Sequence, residues 1–444
     1  MDKTYRPYEP DQLLLLPPNL RDWLPEGHLA YFVADVVDRL DLSPIYRVYE
    51  REARGYPPYH PALMVKVLLY GYATGVRSSR RLARACVEDV GFRVLAANNT
   101  PDFRTLSEFR RRHLKALGEL FQQVLQICRR AGLVKLGTVA LDSTKVKANA
   151  SKHKAMSYAR MERAERELEA TVRRILEEAE RVDREEDERF GPHRRGDELP
   201  EELADPVRRL KKIREAKAAL EAEAREAAAA KRQQWEARGG RGRPPQAPEH
   251  AQPVPSAQRN FTDPDSKIMK GSDGFIQAYN LQAAVDASSQ VIVAYDVSNQ
   301  PADVEHLQPM VKQVIARTRQ RPRRLLADAG YCSEENLAYL HRRRIEGYVA
   351  TERVEHGEER PPAPRGRPPK GLSCRERMAR RLRTLRGRAI YRLRMLTAEP
   401  VNGQLKQAMG FRQFLLRGLE NVRGECSLLC TAFNLRKLWR AAYG

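Results

Sequence analysis

Apolar positions in the first third of the chain recur at helical spacing. Residues 60–74 (HPALMVKVLLYGYAT) predict one helix, and residues 80–87 a second, short helix capped by Ser78 or Ser79. Capping-box spacing at the start of 105–130 predicts one long helix over that range. Two short helices joined by a tight turn and followed by a basic helix resemble a helix-turn-helix unit. The alternative is a helical bundle with a solvated arginine face.

From residue 137 onward the pattern changes to short β-prone runs separated by helices. Strands are predicted at 138–141, 278–286, 291–297, 324–327 and 347–350, with helices at 303–317 and 334–344. The second and third strands are joined by a turn-like segment and predict a hairpin. This order predicts an α/β fold in which a mixed sheet is flanked by helices, as in a ribonuclease-H-like core.

Residues 151–260 form a highly charged insertion after the first predicted strand. The insertion holds 25 Lys and Arg against 23 Asp and Glu, so its net charge is close to zero. Its apolar residues step by three and four, which predicts an antiparallel helical hairpin with charges outside. The apolar positions are Met161, Ala164, Leu168, Val172, Ile175, Ala179 and Val182, then Leu203, Val207, Leu210, Lys217 and Leu220. A structural arm and an element for dimerisation or DNA clamping both remain open.

The chain is strongly basic, because 80 basic against 58 acidic residues give a net charge of +22. An excess of that size indicates a polyanionic partner, nucleic acid before membrane. Residues 361–394 carry 12 basic residues and one acid, which is typical of a contact surface. The apolar run at 13–16 is too short for a membrane span or a signal peptide, so a cytoplasmic protein without membrane contact is expected.

Two further patterns suggest weaker hypotheses. Residues 241–245 and 365–369 have the same sequence, Arg-Gly-Arg-Pro-Pro, which resembles a minor-groove-binding AT-hook; the alternative is a basic linker. The six cysteines include no Cys-x-x-Cys pair, so neither a disulfide framework nor a zinc site is expected.

Two aspartates end separate predicted strands, Asp142 after VAL and Asp328 after LLA. Strand ends in an α/β sheet expose side chains where ligands bind, and hard divalent cations need several oxygen ligands. Glu399 is a candidate third carboxylate. Pro400 follows it directly, which predicts that Glu399 lies at a helix start or a bend. Four other aspartates are interpreted as loop, turn or helix-start residues: Asp263, Asp265, Asp286 and Asp303.

Four ordered motifs, LDSTKVKANAS, YNLQAAVDASSQ, LADAGYCS and AEPVNGQLK, resemble the DDE transposases of bacterial insertion sequences. The resemblance implies a metal-binding catalytic triad of Asp142, Asp328 and Glu399, holding two Mg²⁺ ions with Mn²⁺ as an alternative. It also implies that Tyr391, Arg394 and Lys406 match the Tyr-Arg-Glu-Lys signature and contact DNA. Four residues separate Arg394 from Glu399 here, where the common pattern has three.

The expected function is metal-dependent cleavage and strand transfer at the inverted-repeat ends of the element, into target DNA, by a homodimer or higher oligomer. The alternatives are a nuclease of the same fold that does not join DNA, and a non-catalytic DNA-binding protein. Four residues are predicted to bind DNA in the N-terminal domain: Arg110, Arg111, Arg112 and Lys115. Glu420 and Glu425 are expected to be surface residues of a C-terminal helix.

The length of 444 residues predicts more than one domain. The expected organisation is a helical N-terminal DNA-binding domain (1–135), the first strand of the catalytic core (136–150), the hairpin insertion with its linker (151–260), the rest of the core sheet (261–355), a basic linker (356–390) and C-terminal helices of the core (391–444).

Overall fold

The computed structural model describes residues 19–50, 57–190, 201–237, 239–271, 274–352 and 371–444, together with residues 363, 366 and 369. In the described residues a 3₁₀ turn at Leu20–Asp22 is followed by seven α-helices: α1 (Leu29–Val37), α2 (Ser43–Glu50), α3 (Pro61–Thr74), α4 (Ser79–Glu88), α5 (Val90–Leu95), α6 (Phe103–Arg112) and α7 (Leu114–Arg130). Helices α3 and α4 confirm the two short helices expected from the sequence. Ser78 caps α4, because its side chain accepts a hydrogen bond from the amide of Arg81.

The single long helix predicted for 105–130 is wrong, because the structure has two helices there. Asp102 caps α6, and its carboxylate accepts hydrogen bonds from two backbone amides of the first turn, one of them that of Thr105. The backbone then leaves the helical conformation at His113 (φ −107°, ψ 16°). The buried His113 ring lies with its Nε2 3.2 Å from the hydroxyl of Tyr49. A tertiary contact thus accompanies the break.

The remaining elements are β1 (Thr138–Lys147), β2 (Ala155–Ser157), α8 (Tyr158–Phe190), α9 (Glu201–Ala237), β3 (Gln258–Asn260), β4 (Lys267–Gly271), β5 (Gly274–Asp286), β6 (Ile292–Ser298), α10 (Leu307–Thr318), β7 (Arg324–Ala327), α11 (Glu334–Arg342), β8 (Glu346–Val349), α12 (Cys374–Arg383), α13 (Leu385–Gly403) and α14 (Leu419–Tyr443). None of the described helices is long and apolar enough to cross a membrane.

The central sheet is mixed. Strands β1, β7 and β8 are parallel neighbours, and β5 pairs antiparallel with the other edge of β1. The far edge of β5 is shared by β6 and β4, both antiparallel to it. This order and these directions are consistent with a ribonuclease-H-like core, as the sequence predicted.

Strand β1 does not end at Asp142, as the sequence suggested, but continues to Lys147. The extension is polar, so its composition alone does not predict a strand. It forms because β5 pairs with it over its whole length, up to Lys147 opposite Ala278. Cross-strand pairing outweighs local propensity here.

Helix α14 ties the N-terminal helices to the sheet. Its side chains are mostly buried, and it packs against α7, α3 and β6. Asn434 bonds both the amide and the carbonyl of Ile292 at 2.9 Å, and Ser427 donates to the carbonyl of Gly118. One hydrophobic core therefore includes helices from the first third of the chain, the sheet and the C-terminal helix.

Glu425 on α14 is not the surface residue that the sequence suggested. Its side chain is fully buried and accepts hydrogen bonds from the amides of Leu415 and Leu416. The guanidinium of Arg77 lies 3.7 Å away, and Arg77 also donates to the carbonyl of Gly410. The helical spacing of α14 did not reveal this, because Arg77 is far away in the chain and the two amides belong to the loop before the helix.

Part of the predicted basic linker at 356–390 is helical. Ser373 and Glu376 form a capping box at the start of α12, and α13 follows it closely. Two of the arginines in this run bond backbone carbonyls beside β8: Arg375 donates to Thr351 at 2.7 Å, and Arg381 donates to Gly347 at 3.0 Å. These two side chains hold α12 against the sheet.

Helix α13 runs through Pro400, so the predicted helix start at Glu399 is wrong, and the predicted bend stays a prediction. Proline lacks an N–H and therefore leaves the carbonyl four residues earlier without its helical donor. That carbonyl belongs to Leu396, and the side-chain amide of Gln290 donates to it at 2.9 Å. A side chain from another element replaces the missing hydrogen bond.

Helices α8 and α9 pack together at their sheet-proximal ends in a small apolar cluster of their own: Tyr158, Met161, Ile213, Ala216 and Leu220. Lys217, placed on the apolar seam by the sequence, forms an ion pair with Glu165 at 3.0 Å. Val207 is exposed. The side chains of Ala179, Val182 and Leu203 and the connection at 191–200 lie outside the described part.

We expect the central sheet to fold without this hairpin, because the two cores are separate. A variant with a short Gly/Ser connection in place of residues 158–237 should keep one cooperative unfolding transition by circular dichroism, since insertions at loops are well tolerated. The matched control is the intact chain under the same conditions. Loss of the cooperative transition would show that the hairpin is part of the main core.

Candidate active site

Asp142 and Asp328 lie side by side on neighbouring parallel strands. Leu141 on β1 is paired with Ala327 on β7, and the two aspartates are the next residues of their strands. Strand β7 ends there, and the carboxylate of Asp328 accepts a hydrogen bond from the amide of Gly330 at 2.9 Å. Equal register places both carboxyl groups at one level of the sheet, on the same face.

Helix α13 crosses this face and carries the polar partners of Asp142. Arg394 donates from Nη1 to Asp142 Oδ1 at 3.2 Å, and Asn402 donates to Asp142 Oδ2 at 2.9 Å. The second amino group of Arg394 lies 3.2 Å from Glu399 Oε1. Arg394 therefore bridges two of the three carboxylates that the sequence analysis selected.

The two bridged carboxylates differ in exposure. The side chain of Asp142 is 12% exposed and that of Glu399 is 49% exposed. Burial raises the pKa of Asp142 to about 6; the Arg394 cation opposes this rise, and the neighbouring Asp328 carboxylate adds to it. Negative charge is thus concentrated at a site that favours a bound cation.

The three candidate metal ligands are all carboxylates, and oxygen ligands suit hard divalent cations such as Mg²⁺. Within the described residues no three His, Cys, Asp or Glu side chains are gathered closely enough to hold one ion. Asp142 and Asp328 supply two neighbouring carboxylates, while Glu399 reaches the pair through Arg394. The chemical type of the donors fits the ion, while in this arrangement Glu399 is bonded to Arg394 and is not gathered with the two aspartates.

Asp303 is a residue of the site region that the sequence analysis interpreted as a helix start. It does not cap the following helix. Its Oδ1 instead accepts hydrogen bonds from Asn280 and Gln282 of β5, and Lys145 of β1 lies 3.4 Å away. A signal was present in the sequence, since alternate residues 280 and 282 of one strand are polar.

This polar cluster supports the loop that carries Asp328. A Cβ atom on Gly330 would lie 3.1 Å from an oxygen of Asp303 and 3.1 Å from an oxygen of Asp328. Glycine therefore permits the close approach of the loop to both carboxylates. Tyr331 is fully buried next in the chain and donates a hydrogen bond to Gln282.

Tyr391 and Lys406 lie on either side of the Glu399 segment. Tyr391 is partly buried against the main core. Lys406 lies in a short π-helical segment, Gln404–Ala408, that continues α13. The seven-residue spacing of Glu399 and Lys406 would place both on one face of a regular α-helix, whereas the π segment changes the angular spacing between them.

The four basic residues proposed for DNA contact in the N-terminal part differ in accessibility. Arg110 is 5% exposed and donates to the carbonyl of Arg77, so its side chain is held inside the protein, and its contact with DNA stays a prediction. Arg111 is exposed and paired with Glu108 at 2.8 Å. Arg112 is exposed over the Tyr49 ring, and Lys115 is also exposed.

The two Arg-Gly-Arg-Pro-Pro segments are unequally described. Residues 241–245 follow α9, and the indole of Trp235 donates to the carbonyl of Arg241 at 3.1 Å. Of residues 365–369, the structure describes Gly366 and Pro369. The minor-groove hypothesis stays a prediction. The described cysteines are all free, and Cys426 and Cys430 are buried in the core.

Comparison with protein families gives two matches. Residues 18–112 match the family described as Transposase domain (DUF772), and residues 248–435 match the family described as Transposase DDE domain. No curated protein and no solved structure shows a significant match. The first match includes α1 to α6, and the second includes Asp328 and α13; together they cover more than half of the chain. The chain belongs to the DDE transposases of insertion sequences.

Proposed function

We propose that this protein cuts DNA at the ends of its own insertion sequence and joins those ends to target DNA in a metal-dependent reaction. The observation that carries the proposal is the placement of Asp142 and Asp328 in register on adjacent strands, under a helix that brings Glu399 to the same face through Arg394. The DDE family match supports DNA as the substrate.

Asp142, Asp328 and Glu399 would hold the divalent ions, two Mg²⁺ per site with Mn²⁺ as an alternative. When bound, such ions activate an attacking water or 3′-hydroxyl and stabilise the leaving oxygen. The residues of the chain prepare the site. Asn402 and Arg394 fix the orientation of the Asp142 carboxylate, and a bound cation would favour its charged form, which burial disfavours.

Arg394 has a second role in this proposal. With its partners it neutralises repulsion between the acids in the metal-free protein, and with DNA bound its guanidinium would be available to a phosphate. Tyr391 and Lys406 would contact DNA near the same point, since both lie on or directly after α13. The proposed DNA-contacting set includes Arg111, Arg112 and Lys115 on the N-terminal helices.

We further propose that the chain acts as a homodimer or higher oligomer on DNA, because two element ends must be brought to one target. The domain limits given in the sequence analysis stay proposals. Within them, residues 1–135 would bind DNA, and residues 136–150, 261–355 and 391–444 would form the catalytic core.

Glu399→Gln tests the proposal at the least buried acid of the triad. We expect nicking and joining of an end-containing duplex in Mg²⁺ to fall by about 100-fold or more, because the amide loses a metal-binding charge while binding to the ends persists. Gel electrophoresis would measure nicked and strand-transfer products, and a gel shift would measure binding.

The matched control is Glu420→Gln, which alters an exposed acid on α14 and should leave both products unchanged. Nicking without any strand-transfer product in the unaltered protein would favour a nuclease of the same fold. Binding to the ends without Mg²⁺-dependent nicking would favour a non-catalytic DNA-binding protein. Full activity of Glu399→Gln would show that the third carboxylate is elsewhere.

A further inference from the structure

A basic cleft lies along the part of β1 that follows Asp142 and extends beyond β7. Its volume is about 540 Å³, and we define it by its five cationic lining residues: Lys145, Lys147, Lys270, Lys406 and Arg412. Ser143 and Thr144, the two residues that follow Asp142 on β1, also line it. The lining of the cleft therefore begins at the residue that directly follows Asp142 in the chain.

Backbone hydrogen bonds hold three of the cationic residues of the cleft, Lys147, Lys270 and Arg412, in place. The amide of Lys147 donates to the carbonyl of Arg412 at 3.3 Å, and the amide of Phe414 donates back to Lys147 at 2.9 Å. Lys270 is held on β4, where it is paired with Phe275 of β5. Lys147 and Lys270 thus project from strands of the central sheet, and Arg412 belongs to a segment that is hydrogen-bonded to β1.

The charged side chains that the structure describes in the lining of the cleft are all positive. The described lining residues include no Asp or Glu. The charge of Lys145 is partly neutralised by Asp303, whose Oδ1 lies 3.4 Å from Lys145 Nζ. Lys147, Lys270 and Arg412 have exposed side chains. Such a surface favours a ligand with several negative charges spaced along its length.

We propose that the basic cleft binds the sugar–phosphate backbone of one DNA strand immediately beside the phosphate that is cut. The inference rests on the proposed function and adds to it three contacts, from Lys147, Lys270 and Arg412. Lysine and arginine contacts to phosphates position a strand and carry no sequence information directly. The cleft would therefore hold the DNA in register for the carboxylates whatever its sequence.

The test replaces Lys147, Lys270 and Arg412 together by Gln. The matched control replaces three exposed cations elsewhere in the core, Lys312 on α10 and Arg323 and Arg342 near the start of β7 and the end of α11. The probe is a duplex that carries the inverted repeat from DNA flanking the gene. We expect the slope of log K against log[salt] to fall by about 1 for each lost contact, about 3 in all, in the cleft variant alone.

A second measurement locates the contacts. Single phosphates around the nicking point are replaced by uncharged methylphosphonates, and binding is compared for the unaltered protein and the cleft variant. Neutral phosphates beside the nicking point should weaken binding of the unaltered protein and have little effect on binding of the cleft variant. Equal sensitivity of both proteins, or an unchanged salt slope, would overturn the inference.

The outcome is independent of the outcome for the proposed function. If the unaltered protein nicks the ends in Mg²⁺ and the cleft variant keeps its full slope, the cleft inference fails and the function stands. If the unaltered protein does not nick, the function fails. The salt slopes of the unaltered protein, the cleft variant and the control variant then still show whether the cleft binds DNA phosphates.

Discussion

Asp142→Asn should lower Mg²⁺-dependent nicking of an end-containing duplex by about 1,000-fold or more, with little change in affinity for the ends. The carboxylate lies in register with Asp328 and is nearly buried, so no other acid of the described chain can take its place on β1. Charge stabilisation by a bound ion amounts to several kcal/mol, and each 1.36 kcal/mol is a factor of ten in rate. Product formation under saturating protein measures the effect.

A matched control for this variant is Asp296→Asn. Asp296 is also a strand aspartate of the central sheet with an arginine partner, Arg423 at 3.3 Å, but it lies on β6. It should keep nicking within a few-fold of the unaltered protein. Comparable losses in the two variants would show that the sheet tolerates no loss of a carboxylate, and the result for Asp142 would then report folding and not chemistry.

Glu425→Gln should destabilise the fold by about 3 kcal/mol, because removing one partner of a buried ion pair leaves an uncompensated charge. The carboxylate accepts two backbone hydrogen bonds from the loop at 415–416 and faces the guanidinium of Arg77. An amide has one oxygen and no charge, so it replaces these contacts incompletely. Urea unfolding followed by circular dichroism gives the free energy of unfolding.

Two further variants make this prediction specific. Glu420→Gln lies on the same helix at an exposed position and should change the free energy of unfolding by less than about 0.5 kcal/mol. Adding Arg77→Gln to Glu425→Gln should cost less than the sum of the two single changes, since the charges are coupled. Strict additivity in this cycle would contradict a direct interaction between Arg77 and Glu425.

Local sequence patterns were sufficient wherever an element is stabilised by its own residues. Helices α3 and α4, strand β7 and the β5–β6 hairpin were all predicted within a few residues, because apolar period, caps and turn residues act over short distances. The order of these elements also predicted a mixed sheet flanked by helices. Residues of the candidate site that end or interrupt such patterns, notably Asp142 and Asp328, could therefore be selected without a structure.

Residues whose role depends on a distant partner could not be assigned in this way. Glu425 and Arg110 have the composition of surface residues but are buried. Glu425 pairs with Arg77, far away in the chain, and Arg110 donates to the carbonyl of the same Arg77. Asp303 resembled a helix start, yet it accepts hydrogen bonds from β5. Burial and pairing of charges are properties of the packed chain and leave no periodic trace.

The α/β class, the order of the main elements and the candidate role of the two aspartates that follow short apolar runs could be predicted from the sequence alone. The tertiary structure alone decided that β1 continues past Asp142, because pairing with β5 stabilises a polar extension. It also decided that α13 passes through Pro400, because Gln290 satisfies the carbonyl that proline leaves without a donor. Both outcomes depend on hydrogen bonds between segments more than 100 residues apart, and local propensity carries no information about such bonds.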